Sequence, residues 1–214
     1  MVKQCNILFD TKTLAIKIGN TTKSRKGISM EIVDVIHQRA SLKTRLSPRE
    51  VEAEKITKIL EAARVAPSAR NFQPWRFIVV NNKKLLETLV KSAFSDVNHV
   101  AQNAPVIIFV CGNPGEDVTI GGKEYYLFDL GLAVENMVLA ATSLGLVTHI
   151  MAGFSEDLVK EQLGIPLQYR CVAAIPLAYP DSKTYEEAAQ DRLKQRTRKD
   201  LKEIVYTNSW PKLA

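Results

Sequence analysis

Apolar residues recur every three or four positions in two early segments of the chain, which is the spacing of one buried helix face. The first segment begins just past residue 28, where Ile32, Val35 and Ile36 predict a helix. In the second, the apolar face is formed by Ile56, Ile59, Leu60 and Ala63. We expect Ser47-Pro48-Arg49-Glu50 to open this second helix, with the serine as its cap. The helix should end before Pro67, because the residue preceding a proline disfavours helical geometry.

Uninterrupted apolar runs between turn residues predict buried strands at 76–80, 105–110 and 171–177. Around them the sequence predicts a helix from Lys83 and a short helix that Ser155 caps and that ends at Gly164. It also predicts a long helix over 125–144 that is apolar around most of its circumference, as in a core or a subunit interface. Helices and strands are interleaved without a regular βαβ rhythm. The predicted fold class is therefore α+β, with helices packed on a sheet.

Net charge changes this picture only near the N-terminus. The 214 residues are 46% hydrophobic and 24% charged, as in an ordinary globular domain. The formal net charge is +6, and residues 1–28 hold +5 of it, with six lysines and arginines against Asp10 alone. We therefore predict a basic N-terminal extension over 1–28 and one domain over 29–214. Such an extension can attract nucleic acid or anionic lipid, although a solvated tail is the favoured interpretation.

Cysteine usage and hydropathy argue against several classes of protein. Cys5, Cys111 and Cys171 lie far apart, with no CxxC and no cysteine–histidine cluster at metal-binding spacing. A disulfide scaffold is not expected, which favours a reducing compartment. No unbroken apolar stretch approaches the ~18 residues of a membrane helix, and the N-terminus lacks the pattern of a secretory signal. The sequence thus predicts a cytoplasmic protein without a membrane partner.

Familiar catalytic motifs are missing, since the sequence has no GxxxxGK[ST] loop, GxGxxG turn, HExxH or GxSxG. An enzyme of this kind would take its reactive chemistry from an organic cofactor. Arg39, Ser41 and Lys43 alternate along the chain, so they can project the same way, and the arginine and serine together could hold a phosphate. Arg196 and Arg198 have the same spacing and could complete a phosphate site. A solvated charged turn is the alternative for each segment taken alone.

A further candidate segment, 67–75, has the sequence PSARNFQPW and joins a predicted helix to a predicted strand. Its two prolines bracket small and amide residues, which offer fixed backbone donors and acceptors. The Asn71 side chain can recognise a ring that bears both carbonyl and N–H groups. For Trp75 we favour packing in the core.

Taken in order, these segments resemble the nitroreductase family of flavoproteins, over roughly residues 31–210. The signatures are helix-R-x-S-x-K, A-P-S-x-x-N-x-Q-P-W-x-F-I-V-V, D-x-G-x-A-x-x-N-x-x-L-A-A-x-x-L-G-L, an Ala-Gly turn and R-x-R. The second signature is the most specific, and the ordered combination is stronger than any one element. The resemblance implies a central mixed sheet flanked by helices, in an intertwined homodimer with two FMN molecules at its interface.

The resemblance also assigns residues to FMN binding. Those that would hold the phosphate are Arg39, Ser41, Arg196 and Arg198, and those at the polar edge of the ring are Lys43 and Asn71. Those that would line the ring are Pro67, Ser68 and Ala69, which can come from the neighbouring subunit, and Met151, Ala152 and Gly153 on its other side near N5. Ala40 stands where many relatives have a basic residue or histidine, so one contact is expected to be missing.

The implied function is hydride transfer from NADH or NADPH through flavin N5 to a nitroaromatic, quinone or related acceptor. No side chain acts as a nucleophile, and ping-pong kinetics are expected. The 112–122 loop is short, which argues against a large lid over the acceptor. Two alternatives stay open. One is a specialised relative, such as a reductive dehalogenase or a flavin-modifying enzyme, and the other is a non-enzymatic flavin- or nucleic-acid-binding protein that uses the basic tail.

Overall fold

The computed structural model describes residues 31–41, 46–181 and 191–210, so the predicted extension over 1–28 and Lys43 lie outside the described residues. The helices are α1 (Ile32–Gln38), α2 (Ala53–Arg64), α3 (Lys83–Ala93), α4 (Tyr125–Ser143), α5 (Glu156–Leu163) and α6 (Leu201–Ile204). The strands are β1 (Leu46–Ser47), β2 (Trp75–Val80), β3 (Val106–Gly112), β4 (Thr119–Ile120), β5 (Lys123–Glu124), β6 (Val147–Thr148) and β7 (Arg170–Pro180). Short 3-10 helices occupy Ala69–Asn71, Asp96–Asn103 and Pro114–Glu116, and residues 191–194 are helical.

A five-stranded sheet forms the centre of the domain. Its strands run in the order β1-β7-β3-β2, with β6 also paired to β7. All of these strand pairings are antiparallel. The isolated bridge between Ser41 and Thr148, outside these strand pairings, is parallel. β4 and β5 form a separate hairpin that occupies part of the segment predicted as a loop.

Helices cover both faces of the central sheet. Ile108 and Val110 of β3 are buried in a cluster with α2 and α4. Ile107 and Phe109, which alternate with them, are buried in a second cluster with α3 and α5. The α+β fold class is confirmed, with helices, sheet and helices in three layers.

Several boundaries follow the local signals of the sequence. Ser155 Oγ accepts the Leu158 N–H at 3.4 Å to cap α5, and Gly164 ends that helix with a φ of 66°. The long helix is confirmed as α4, and Trp75 is buried in the core. Of the helices in the described ranges, none is long and apolar enough to cross a bilayer.

The predicted opening of the second helix is wrong. α2 begins at Ala53, with Glu52 at its N-cap. Ser47 instead lies in β1, where it pairs with Tyr179 of β7. Its hydroxyl accepts the Arg49 N–H at 3.2 Å, which is a local turn contact and not a helix cap. The pairing with β7 is a tertiary interaction that the local capping pattern does not reveal.

Candidate cofactor-binding site

A cleft lined by arginines lies where two distant segments of the chain meet. Its volume is about 350 Å³, and we call it the arginine cleft. The residues that line it are Arg39, Ala40, Ser41, Arg192, Gln195, Arg196, Thr197 and Arg198. Four of the eight carry a guanidinium group and none carries a carboxylate, so the lining is strongly cationic.

Main-chain contacts bring the two segments together. The Arg39 N–H donates to the Val35 carbonyl at 2.9 Å and ends α1, and Ser41 then pairs with Thr148 of β6. From the other segment, the Arg196 guanidinium donates to the Arg39 carbonyl, across 157 positions of sequence. The cleft is therefore closed by a side chain of one segment that binds the main chain of the other.

The cleft concentrates like charges. Burial lowers the pKa of the Arg196 guanidinium, and the neighbouring Arg198 and Arg39 lower it further. Of the arginines in the cleft, only Arg39 has a carboxylate within 4 Å in the described part of the chain, with Glu135 Oε1 at 3.9 Å from its Nε. An ion pair as long as this one neutralises little of the positive charge of the cleft. Among the residues that the structure describes, the positive charge in the cleft is thus left without a matching anion.

Chemically, this arrangement is suited to binding an anion. Guanidinium groups present planar pairs of donors that match phosphate oxygens. Ser41 Oγ, 3.5 Å from Arg39 Nη1, adds a hydroxyl at the same edge. Within the described ranges, no group of three or more His, Cys, Asp or Glu side chains could hold a metal ion. The residues present therefore fit a phosphate monoester.

The predicted ring-binding loop, 67–73, has an unusual backbone. Arg70, Asn71 and Gln73 adopt left-handed φ angles of 50°, 59° and 52°. Residues other than glycine rarely take such angles, so surrounding contacts have to maintain them. One such contact is the hydrogen bond from the Gln73 N–H to Ser68 Oγ at 3.0 Å. The Asn71 side chain lies exposed on this fixed loop.

A buried carboxyl group of α4 anchors the same loop. Asp129 is 1% exposed, and its Oδ2 accepts the Ala69 N–H at 2.7 Å. Burial raises the pKa of Asp129, the Ala69 N–H opposes that rise, and the neighbouring Asp117 carboxyl adds to it. Asp129 is the aspartate of the D-x-G signature, but its contact with the loop was not predicted.

The predicted turn at 151–153 follows β6. The Met151 side chain is buried, and its main chain exchanges two hydrogen bonds with Ala174, at 3.0 and 2.9 Å. Ala152 and Gly153 are exposed. Met151 thus anchors the turn in the core, and its two neighbours are the residues that can face a ligand.

The structure separates the predicted site residues into three groups. Five line the arginine cleft, namely Arg39, Ala40, Ser41, Arg196 and Arg198. Pro67, Ser68, Ala69 and Asn71 lie on the loop and do not line the cleft, nor do Met151, Ala152 and Gly153. Arg192, Gln195 and Thr197 were missed. Arg192 precedes Arg196 by four residues, one helical turn, and that spacing could have identified it.

Comparisons with known proteins agree with this fold. A family model described as the nitroreductase family matches residues 36–102 and 98–179. The chain is 34% identical over 163 residues to a protein of Archaeoglobus fulgidus with the provisional name NADH dehydrogenase/NAD(P)H nitroreductase, across 74% of this chain and 91% of that relative. The fold and cleft define an α+β protein with a strongly cationic cleft. The chain belongs to the nitroreductase family, which is a family of oxidoreductases.

Two solved structures from Clostridium have the same architecture. A nitroreductase family protein of Clostridium novyi is 37% identical with a TM-score of 0.67, over 74% of this chain and 92% of that one. A nitroreductase family protein of Clostridium difficile is 31% identical with a TM-score of 0.73, over 85% of this chain and 100% of that one. The nitroreductase-like fold predicted from the sequence is confirmed.

Proposed function

We propose that this protein is an FMN-dependent oxidoreductase that takes hydride from NADH or NADPH and delivers it to a nitroaromatic, quinone or related acceptor. The observation that carries the proposal is the arginine cleft, where guanidinium groups from both ends of the domain meet with little counter-charge. Nitroreductases generally depend on FMN. When bound, FMN supplies the redox chemistry, because its ring accepts two electrons as hydride and releases them again.

In this proposal the cleft holds the FMN phosphate. Arg39, Arg196 and Arg198 donate to its oxygens, and Ser41 donates through its hydroxyl. Each such charge-assisted hydrogen bond contributes roughly 1.5–3 kcal/mol. Burial lowers the pKa of Arg196 and the neighbouring arginines lower it further, and the phosphate dianion relieves that repulsion. Phosphate binding therefore supplies the affinity, which leaves the ring-binding residues free to set orientation.

The ring is oriented by residues outside the cleft. Asn71 reads its polar edge, and Lys43 stabilises the negative charge that reduction leaves there. The loop residues Pro67, Ser68 and Ala69 line the ring from the second subunit of a homodimer, which accounts for their distance from the cleft lining. We place this homodimer in the cytoplasm.

Titration with FMN tests the proposal. We expect the wild type to quench FMN fluorescence on binding, and the bound flavin to bleach with NADH or NADPH under anaerobic conditions. Arg39→Ala and Arg196→Ala should each weaken FMN binding roughly tenfold or more, because each removes charge-assisted hydrogen bonds to the phosphate.

A matched control is Arg64→Ala, which removes an exposed arginine that pairs with Glu61 on α2. It should leave FMN affinity unchanged. Equal FMN occupancy in wild type and in the Arg39 and Arg196 double variant would remove the cleft from the site. A wild type that binds FMN but resists bleaching by both nicotinamides would contradict the reductase activity.

A further inference from the structure

The carbonyl group of Gly153 is bound by three donors from one neighbouring segment. It accepts the Ser95 N–H at 3.0 Å, the Ser95 hydroxyl at 2.9 Å and the Asn98 side-chain amide at 3.0 Å. Asn98 is 5% exposed, and its amide also reaches Ser95 Oγ at 3.3 Å. We call Ser95 and Asn98 the carbonyl clamp. A peptide oxygen has two lone pairs, so three donors saturate it.

Only glycine allows the clamp to approach so closely. A Cβ atom on residue 153 would lie 2.7 Å from Asn98 Nδ2 and 2.8 Å from Ser95 Oγ. Real Cβ atoms essentially never make contacts that short, so any larger residue would push the clamp away. The glycine of the Ala-Gly signature is thus explained by the two side chains packed against it.

The clamp fixes the orientation of the adjoining peptide groups. The Phe154 N–H, on the peptide whose oxygen is clamped, donates to the Ala152 carbonyl at 3.0 Å. In a trans peptide the N–H points opposite to the C=O. The Gly153 N–H shares its peptide group with the Ala152 carbonyl, so it points away from the hydrogen bond that this carbonyl accepts. Among the described residues no acceptor binds the Gly153 N–H. One continuous chain of polarised peptides therefore leads from Asn98 to a free donor on an exposed residue.

This free donor lies on the same edge of the sheet as the arginine cleft. Ser41 lines the cleft and pairs with Thr148. Ala152 lies four positions after Thr148, which is a span of at most ~14 Å. We infer that Ser95 and Asn98 are positioning residues for the flavin ring, and this inference rests on the proposed function. They hold and polarise the Gly153 N–H, which faces the ring.

The two near-isosteric variants Ser95→Ala and Asn98→Asp test this inference. Each removes one donor to the Gly153 carbonyl, and Asn98→Asp also places an acceptor against it. We expect each variant to bind FMN about three- to tenfold more weakly, the effect of one lost hydrogen bond. In wild type, FMN should slow amide hydrogen exchange of the 151–155 segment, and in FMN-saturated variants that protection should fall by a similar factor.

Two controls separate positioning from simple destabilisation. Asn136→Ala removes an amide donor to the Ala62 carbonyl on the opposite face of the sheet, and it should change neither FMN affinity nor protection of 151–155. Arg39→Ala should weaken FMN binding, yet keep that protection once saturated. Wild-type affinity and wild-type protection in both clamp variants would overturn the inference while leaving the proposed function intact. A wild type that binds no FMN would overturn both.

Discussion

The buried carboxyl group of Asp129 accepts a hydrogen bond and can also carry a negative charge, and substitutions can separate these two properties. Its oxygen accepts the Ala69 N–H, while burial and the Asp117 carboxyl disfavour its ionised form. We expect Asp129→Leu to destabilise the fold by roughly 1–3 kcal/mol, because the Ala69 N–H loses its acceptor. Asp129→Asn keeps an acceptor without the charge and should cost less. Urea denaturation at pH 7 measures both, and equal losses in the two variants would contradict the acceptor role.

Residue-level prediction was possible where a short pattern points to one kind of chemistry. Arg39, Ser41, Arg196 and Arg198 were assigned to one site from their signatures, and they line one cleft. Ser95 and Asn98 were not assigned, because they lie in an irregular segment with no periodicity. Their partner, Gly153, is 55 to 58 positions away. A single sequence does not show which distant carbonyl a loop asparagine will bind.

At the scale of elements, a polar cluster ties the start of α2 to the end of β7. The Tyr179 hydroxyl donates to the Glu52 carboxylate, and Lys55 Nζ donates to the same hydroxyl at 2.8 Å. The Tyr179 hydrogen bond, assisted by the Glu52 N–H and by Arg49, lowers the pKa of Glu52 from 4.5 to about 2. The ionised form of Glu52 is thus the one that holds the two elements together.

This shift predicts a pH dependence of stability. Because the pKa is lower in the folded state, the stabilisation is complete above pH 4.5 and is lost as pH falls towards 2. We expect Glu52→Gln to lower the urea midpoint at pH 6, and the difference from wild type to vanish near pH 2. Glu54→Gln is the control, because it removes a carboxylate from the first turn of α2. It therefore loses the same kind of helix-dipole interaction as Glu52→Gln. A Glu52→Gln deficit that persists unchanged at pH 2 would refute the assignment.

Element boundaries were predictable where their signals are local. Ser155 and Gly164 bound α5 through contacts within the helix itself. Ser47 begins a capping pattern like that of Ser155, but its strand pairs with β7, more than 130 positions later. The sequence predicts elements whose ends are satisfied locally and errs where a distant strand competes for the same residue.

At the scale of the whole molecule, two of the apolar surfaces that the described residues expose lie near the ends of the domain. They comprise Ile32, Val33 and Ile36 on α1, and Leu201, Ile204, Val205, Tyr206 and Trp210 near the C-terminus. Trp210 is 74% exposed, although its ring centroid lies only 4.7 Å from that of Tyr206. Surfaces of this kind are usually covered by a partner. A second copy of the chain is the partner that the proposed homodimer supplies.

We expect Ile36→Glu and Ile204→Glu to shift the protein towards monomer, because each would bury a charge in the proposed interface. Light scattering across a range of protein concentrations measures the shift. FMN affinity should fall with it, since the 67–73 loop would no longer reach its partner's cofactor. Leu167→Glu is the control, because Leu167 is 88% exposed in the turn before β7. Dimers as stable as wild type in both interface variants would place the interface elsewhere.

The contact between Arg196 and the main chain of Arg39 bears on biosynthesis. A ribosome delivers residues in order, so one wall of the arginine cleft is missing until residue 198 has left the exit tunnel. The nascent polypeptide can pack both hydrophobic clusters before it can retain a phosphate. On the proposed function, flavin uptake therefore follows the appearance of residue 198, and we expect a message cut short before codon 196 to yield a product that cannot retain the FMN phosphate.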